Sequence, residues 1–218
     1  MDDFGVNNLF NEDDEPEIQA MPVTENKKKA ALVSAFDWLD SIVVSVIAVV
    51  LIFTFLFRVV GIVGDSMNNT LIDGDRVVIC NLFYTPKVGD IVVISRNASN
   101  NREDMHAGNE PIIKRVIAVE GDSVDIRFED GIGYVYVNGV LKNETYIKEY
   151  ISDEKPIINP ISFPAFVPDG CIFVLGDNRN ESLDSRSADI GEYGMIDTRY
   201  VLGKAVLRLF PFDKIRRL

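Results

Sequence analysis

The most apolar run in the chain is SIVVSVIAVVLIFTFLF, Ser41 to Phe57, which carries no charged residue and is bounded by Asp40 and Arg58. As a helix it rises roughly 25 Å, a little short of a hydrocarbon core of about 30 Å. Adding Trp38 and Leu39 on one side and the apolar residues after Arg58 on the other predicts a transmembrane helix over 38–61. Arg58 can snorkel to the headgroups, and Trp38 suits an interface anchor. A buried core helix would show a polar face, and this run offers only Ser41, Ser45 and Thr54. A cleaved signal peptide would have a short basic leader and a small-x-small site after the apolar run. Here the leader is long and mostly acidic, and FRVVGIVGDS provides no such site.

From residue 62 onward the pattern changes to short β-favouring runs. RVVICNLF, DIVVISR, PIIKRVIAVE, SVDIRFE, GYVYVNGVL, CIFVLGD and KAVLRLF have strand length and are rich in Val, Ile and aromatics. Turn chemistry separates them: IDGD, KVGD, EGD, EDGIG, NGV and PDG. YVYVNGVLKNETYI reads as a hairpin with Asn138-Gly139 at its tip. No long amphipathic helix and no fixed-period repeat is evident here. The expected fold is mainly β, an antiparallel sheet or barrel-like assembly over 62–218, behind one N-terminal transmembrane helix.

Charge adds direction. Lys27, Lys28 and Lys29 precede the apolar run, whereas Arg58 alone closely follows it. The positive-inside rule then places the amino terminus in the cytoplasm and residues 62–218 outside. Residues 1–37 are acidic and lack apolar periodicity, so they read as a disordered cytoplasmic tail. The net charge of -12 over 218 residues argues against nucleic-acid binding, which needs Lys and Arg to neutralise phosphates. The two cysteines, Cys80 and Cys171, form no CxxC and have no histidine companion, which excludes a zinc cluster. Whether they pair stays open. The one histidine, His106, lies in a polar stretch and reads as a solvated loop residue, unsuited to a Ser-His-Asp triad. Among the glycosylation sequons on the outer side, Asn68-Asn69-Thr70 and Asn180-Glu181-Ser182 favour a bacterial setting.

Three polar stretches stand out within the β region: GDSMNNTL at 64–71, IIKRVIAVEGD at 112–122 and LGDNRNESLDSR at 175–186. Singly, each has an ordinary explanation: a turn serine, an exposed strand lysine, a polar loop with local ion pairs. On a strand, Ile112, Lys114 and Val116 share one face, so Lys114 lies among apolar side chains while Arg115 points the other way. A free lysine is protonated at neutral pH, but burial disfavours its charge and lowers its pKa. Of the two adjacent cations, Lys114 is therefore the candidate base.

In this order and spacing, the three stretches resemble the boxes of bacterial type I signal peptidase, a membrane-bound Ser/Lys protease. The GDNRxxSxDSR pattern is matched at every specified position, and the resemblance runs from the apolar helix to residue 218. It implies that Ser66 is the nucleophile of an acyl-enzyme mechanism and Lys114 its general base. It further implies that Ser182 hydrogen-bonds the lysine amine. Asp184 with Arg186, and Asp177 with Arg179, are expected as ion pairs bracing the loop. The Ser66 N–H is one oxyanion donor. Some members add a serine hydroxyl two positions earlier, where this chain has Gly64, so either the Ser66 N–H acts alone or a backbone or water donor near Gly64 completes the hole. Asn69 and Glu120 stand where prolines are common in the family, and neither touches the Ser/Lys pair.

The resemblance also places Met67, Leu71, Ile112 and Ile113 around a pocket for the small residue at the cut, with Ile62 and Val60 near a second pocket. Apolar strand residues equally often belong to a core. The expected partners are secreted preproteins, membrane lipid and a nearby secretion translocon. Neither metal nor cofactor is expected. The expected location is the bacterial cell membrane, with a single pass. Ser66 lies eight residues beyond Arg58, a reach of at most about 28 Å, so the anchor holds it near the outer leaflet. Two rival readings are a self-cleaving LexA-type Ser/Lys peptidase and a catalytically idle membrane-tethered domain that binds secreted proteins. The apolar helix and acidic tail argue against the first.

Overall fold

The computed structural model describes residues 23–82, 84–95 and 111–218. The expectation for residues 1–22, and that for His106, lie outside these. Two compact units divide at Val50/Leu51. The described residues of the first belong to the helix α1, which runs Val23–Leu56. Two sequence expectations change here. Residues 23–37, read as part of a disordered tail, are helical, because KKKAALV and its neighbours are good helix formers without a breaker. The apolar helix also stops earlier than Gly61: Phe57–Gly61 (FRVVG) forms strand β1, whose β-branched valines pair with a following strand. Among the described residues, no helix is long and apolar enough to cross a membrane.

The second unit is antiparallel β, as the alternation and turns indicated. Its larger sheet contains β1, β2 (Arg76–Cys80), β3 (Ile91–Ile94), β4 (Ile112–Val119), β10 (Cys171–Leu175), β11 (Ile196–Asp197) and β12 (Val201–Phe210). Their spatial order is β1-β2-β12-β3-β4-β10-β11, with β13 (Arg216–Arg217) paired to β12. The second sheet contains β5 (Ser123–Glu129), β6 (Ile132–Val137), β7 (Val140–Leu141), β8 (Ile151–Ser152) and β9 (Ala165–Phe166). Its order is β7-β6-β5-β9, with β8 on β6. The β6–β7 turn is the Asn138-Gly139 tip, and both residues have positive φ, 52° and 76°, as a tight hairpin of this hand requires.

Ile117, Ala118, Phe173 and Leu175 from the larger sheet pack on Val124, Val135 and Ile151 from the second, forming one core cluster. A second cluster joins Ile62, Met67 and Leu71 to Val77, Ile79, Ile91, Val93, Ile113 and Ala205. A third gathers Val92, Ile94, Val116, Ile172 and Val174. Strand β4 is central: it is flanked by β3 and β10 and is buried along most of its length. A side chain on β4 therefore meets little water unless it reaches past the sheet. Lys114 lies on this strand.

Candidate active site

The chain leaves β1 at Gly61 and turns through 62–75 before entering β2. This turn is well fastened. Ile62 N–H donates to Asp75 O at 2.8 Å and Gly74 N–H donates to Ile62 O at 3.0 Å. Inside it, Leu71 N–H donates to Met67 O at 2.9 Å, and Met67 and Leu71 have no exposed surface. Two buried apolar side chains one helical turn apart thus hold the segment down and leave Ser66 at its lip.

Lys114 is opposite Val92 in the β3–β4 register and only 4% exposed. Its Nζ donates to Ser66 Oγ at 2.8 Å and to Ile113 O at 3.0 Å. Among the described residues no carboxylate lies within ion-pair distance of the amine. Burial pulls the Lys114 amine down from its ordinary value to about 8, against the pull of Asp184 in the other direction; Arg186 adds to the lowering. The neighbouring cation is handled differently. Arg115 grips Asp177 with Nε to Oδ1 at 2.8 Å and Nη2 to Oδ2 at 2.6 Å, and its guanidinium lies 4.0 Å over the Tyr146 ring. The two cations are thus separated in role: one is paired and fixed, the other dry and far easier to deprotonate than an ordinary lysine.

The 176–186 loop closes the site from the other side. Asn178 N–H donates to Ser66 O at 2.9 Å and Asn178 Nδ2 donates to Asp65 O at 3.0 Å, so the loop grips the serine backbone directly. Asp177 also accepts from Thr70 Oγ1, at the far end of the serine turn. Asp184 and Arg186 form the expected pair, at 2.7 and 2.8 Å, both buried. Burial works against the Asp184 charge, but Arg186 and the Gly176 N–H outweigh it and hold this carboxyl below its usual range. Arg186 also ties the loop to itself by donating to Arg179 O at 2.6 Å.

Four sequence expectations are corrected. Asp177 pairs with Arg115 rather than with Arg179; Arg179 instead pairs with Glu144 at 2.5 Å, with both side chains buried. With Asp177 engaged by Arg115, Glu144, beyond the β6–β7 hairpin, supplies the carboxylate for Arg179. Ser182 Oγ makes no hydrogen bond to the lysine: it is buried without a partner, beside Gly176. Gly64 is not a free oxyanion donor, since its N–H donates to Asp73 Oδ1 at 2.9 Å and its φ of +86° holds it in that turn. Met67 and Leu71, placed around a substrate pocket, are sealed in the core with Ile113 and Ile62, at 7% and 4% exposure. Ile112 and Val60 are partly buried and keep some surface. Asn69 is exposed, and the Glu120 carboxylate accepts from Gly170 N–H, so neither disturbs the pair.

Arg115, Thr70, Asn178, Glu144 and Tyr146 were not singled out from sequence as site residues. For Arg115 and Asn178 the signal was present, since each adjoins a recognised position. Glu144 and Tyr146 have no local signal; only the tertiary fold brings them here.

A desolvated amine 2.8 Å from a serine hydroxyl, with no ion pair to hold its proton, is the arrangement a serine hydrolase of the Ser/Lys kind requires. The family model "Signal peptidase, peptidase S26" matches residues 35–210. Signal peptidase I of Bacillus licheniformis is 33% identical over 201 residues, covering 89% of this chain and 99% of that protein. Signal peptidase IB of Staphylococcus aureus is 31% identical over 196 residues, covering 83% and 92%. Among solved structures, a signal peptidase I from Enterococcus faecalis aligns with a TM-score of 0.38 at 23% identity, covering 57% of this chain and 100% of that one. The chain belongs to the peptidase S26 signal peptidase family, as a serine endopeptidase of the signal peptidase I type.

Proposed function

We propose that Ser66 and Lys114 are the reacting pair of this endopeptidase, and that it removes signal peptides from secreted preproteins at the outer face of a membrane. The observation that carries the assignment is the 2.8 Å separation of Lys114 Nζ from Ser66 Oγ, with the amine buried and without a counter-ion among the described residues. Neutral Lys114 takes the serine proton as Oγ attacks the scissile carbonyl. The resulting ammonium then gives that proton to the leaving amine. In deacylation the amine, neutral again, takes a proton from water as the water attacks the ester. Asp177, Asn178 and the Arg115 pair hold the serine turn while this happens, and the Ser66 N–H is the backbone donor nearest the developing oxyanion.

The membrane setting rests on α1. Its uncharged segment from Ser41 presents Ile42, Val43, Val44, Val46, Ile47, Val49, Val50 and Leu51 at 41–65% exposure, an apolar surface that water does not support. A lipid bilayer covers it, with Lys27 to Lys29 on the cytoplasmic side. Such an anchor raises the effective concentration of the site at the surface where translocated preproteins emerge.

Purified protein in detergent–lipid micelles, incubated with a preprotein, is expected to yield one new amino terminus after a small-x-small sequence. Ser66→Ala and Lys114→Ala, both folded by circular dichroism, should each leave the preprotein intact. Processing retained by either variant would remove the Ser/Lys assignment. Recovery of the unmutated protein in the alkaline-soluble fraction of cells would remove the membrane anchor.

A further inference from the structure

The serine turn is held at two places by groups already described: Asn178 on the Ser66 carbonyl and Asp177 on the Thr70 hydroxyl. A third hold comes from the other side of the fold. Arg216 Nη2 donates to Thr70 O at 2.6 Å, across 146 positions of sequence. Arg216 sits on β13, which pairs with Leu207 and Arg208 of β12, and Leu218 N–H donates to Val206 O at 3.2 Å. Leu218 packs against the cluster that contains Met67 and Leu71, the two side chains that seat the same turn. Thr70 is thereby gripped at its hydroxyl by a carboxylate and at its carbonyl by a guanidinium, one from each flank.

We infer that Arg216 is a positioning residue for the peptidase reaction: it fixes the Thr70 end of the turn so that Ser66 Oγ stays within reach of Lys114. This inference rests on Ser66 and Lys114 being the reacting pair. Arg216 is exposed, so removing its side chain leaves no cavity and no unpaired buried charge. What is lost is one charge-assisted hydrogen bond to the backbone of the turn. A turn loosened at one end spends less time with the hydroxyl aligned to the amine, and this lowers turnover rather than substrate affinity. Arg217, next on the strand, is equally exposed and makes no comparable bond to the turn.

The test compares Arg216→Ala, Arg216→Lys, Arg217→Ala and Ser66→Ala in the full-length protein with a preprotein substrate, measuring kcat, KM and single-turnover rate. Arg216→Ala is expected to lower kcat and the single-turnover rate about fivefold at unchanged KM, the scale of one hydrogen bond. Arg216→Lys should recover at least half of the loss, and Arg217→Ala should match the parent. Parent-level kcat in Arg216→Ala overturns the inference, as does an equal loss in Arg217→Ala or a loss confined to KM. Should Arg216→Ala fail to fold, Arg216→Lys and Arg216→Gln decide: Lys must exceed Gln in single-turnover rate. Full processing by Ser66→Ala would instead bring down the Ser/Lys assignment, so the two failures are distinct.

Discussion

Lys114 sits on a strand whose neighbours are Ile112, Ile113 and Val116, and its amine is almost wholly removed from water. A shift from 10.5 to about 8 corresponds to roughly 3 kcal/mol by which the fold disfavours the ammonium. The neutral fraction is then about a tenth at pH 7, half near pH 8 and about nine-tenths at pH 9. An ordinary lysine would be neutral in only about one molecule in 3,000 at pH 7, so burial raises the competent population roughly 300-fold. With the neutral amine as the proposed base, kcat/KM for preprotein cleavage should climb with slope one below about pH 7, bend near pH 8 and level off above about pH 9. Initial rates between pH 6 and 10.5, at constant ionic strength, measure it directly. A limb rising only above pH 9.5 would refute the desolvation of Lys114.

The same shift has a consequence for stability, and its sign is opposite to that of a salt-bridged lysine. With the folded pKa below the unfolded one, the unfolded chain binds more protons between pH 8 and 10.5, so stability contributed by this residue rises with pH there. Lys114→Met removes the penalty of roughly 3 kcal/mol below pH 8, but it also removes hydrogen bonds to Ser66 Oγ and Ile113 O, about 1 kcal/mol each. The variant should therefore be more stable than the parent by about 1 kcal/mol at pH 7 and less stable by about 2 kcal/mol at pH 10.5. Urea unfolding at the two pH values tests the crossing; a difference that stays flat with pH would contradict it.

Three further outcomes follow from the site. A Cβ on Gly176 would sit 2.3 Å from Ser182 Oγ and 2.5 Å from Ser66 O, so Gly176→Ala must displace the serine backbone. Its kcat/KM should fall by about 100-fold or more while the protein remains folded, as read by preprotein cleavage beside circular dichroism. Glu144→Gln leaves the buried Arg179 guanidinium without its carboxylate and should lower stability by about 3 kcal/mol in urea unfolding. Asp177→Asn releases both Arg115 and Thr70, so it should reduce kcat more than Glu144→Gln does, measured on the same preprotein.

Sequence showed the parts of this molecule whose cause is local. Alternating Val and Ile with Gly-Asp turns gave the long strands, and Asn138-Gly139 gave its hairpin, because both depend on residues a few positions apart. Short strands such as β8 and β11 carry two residues each and were invisible, since only a partner strand makes them strands. The switch from α1 to β1 at Phe57 was hidden for a related reason. FRVVG continues the apolar run, and its β-branched residues become a strand only because β2 is present to pair with them. Apolarity says that a segment leaves water, without saying whether lipid or a sheet receives it.

The candidate base was legible for a different reason: alternation along one strand singles out Lys114, whereas Ser66 follows only from the resemblance. Adjacent cations at 114 and 115 must face opposite ways, and on a strand buried along most of its length the unpaired one has its charge disfavoured by burial. The partners that keep the other charged were not legible, because a carboxylate can come from anywhere in the chain. Proximity in sequence suggests Asp177 as the partner of Arg179, yet in the fold Arg115 claims it and Arg179 turns to Glu144. This exchange has a functional logic. Had Asp177 been bound within its own loop, nothing would join that loop to β4. By pairing with the residue next to Lys114 while accepting from Thr70, Asp177 ties the base strand and the serine turn to one carboxylate. The distance between amine and hydroxyl is then set by a chain of short, charge-assisted bonds rather than by the flexible lysine alone. A mutation at Asp177 should accordingly alter the reaction without touching either reacting atom.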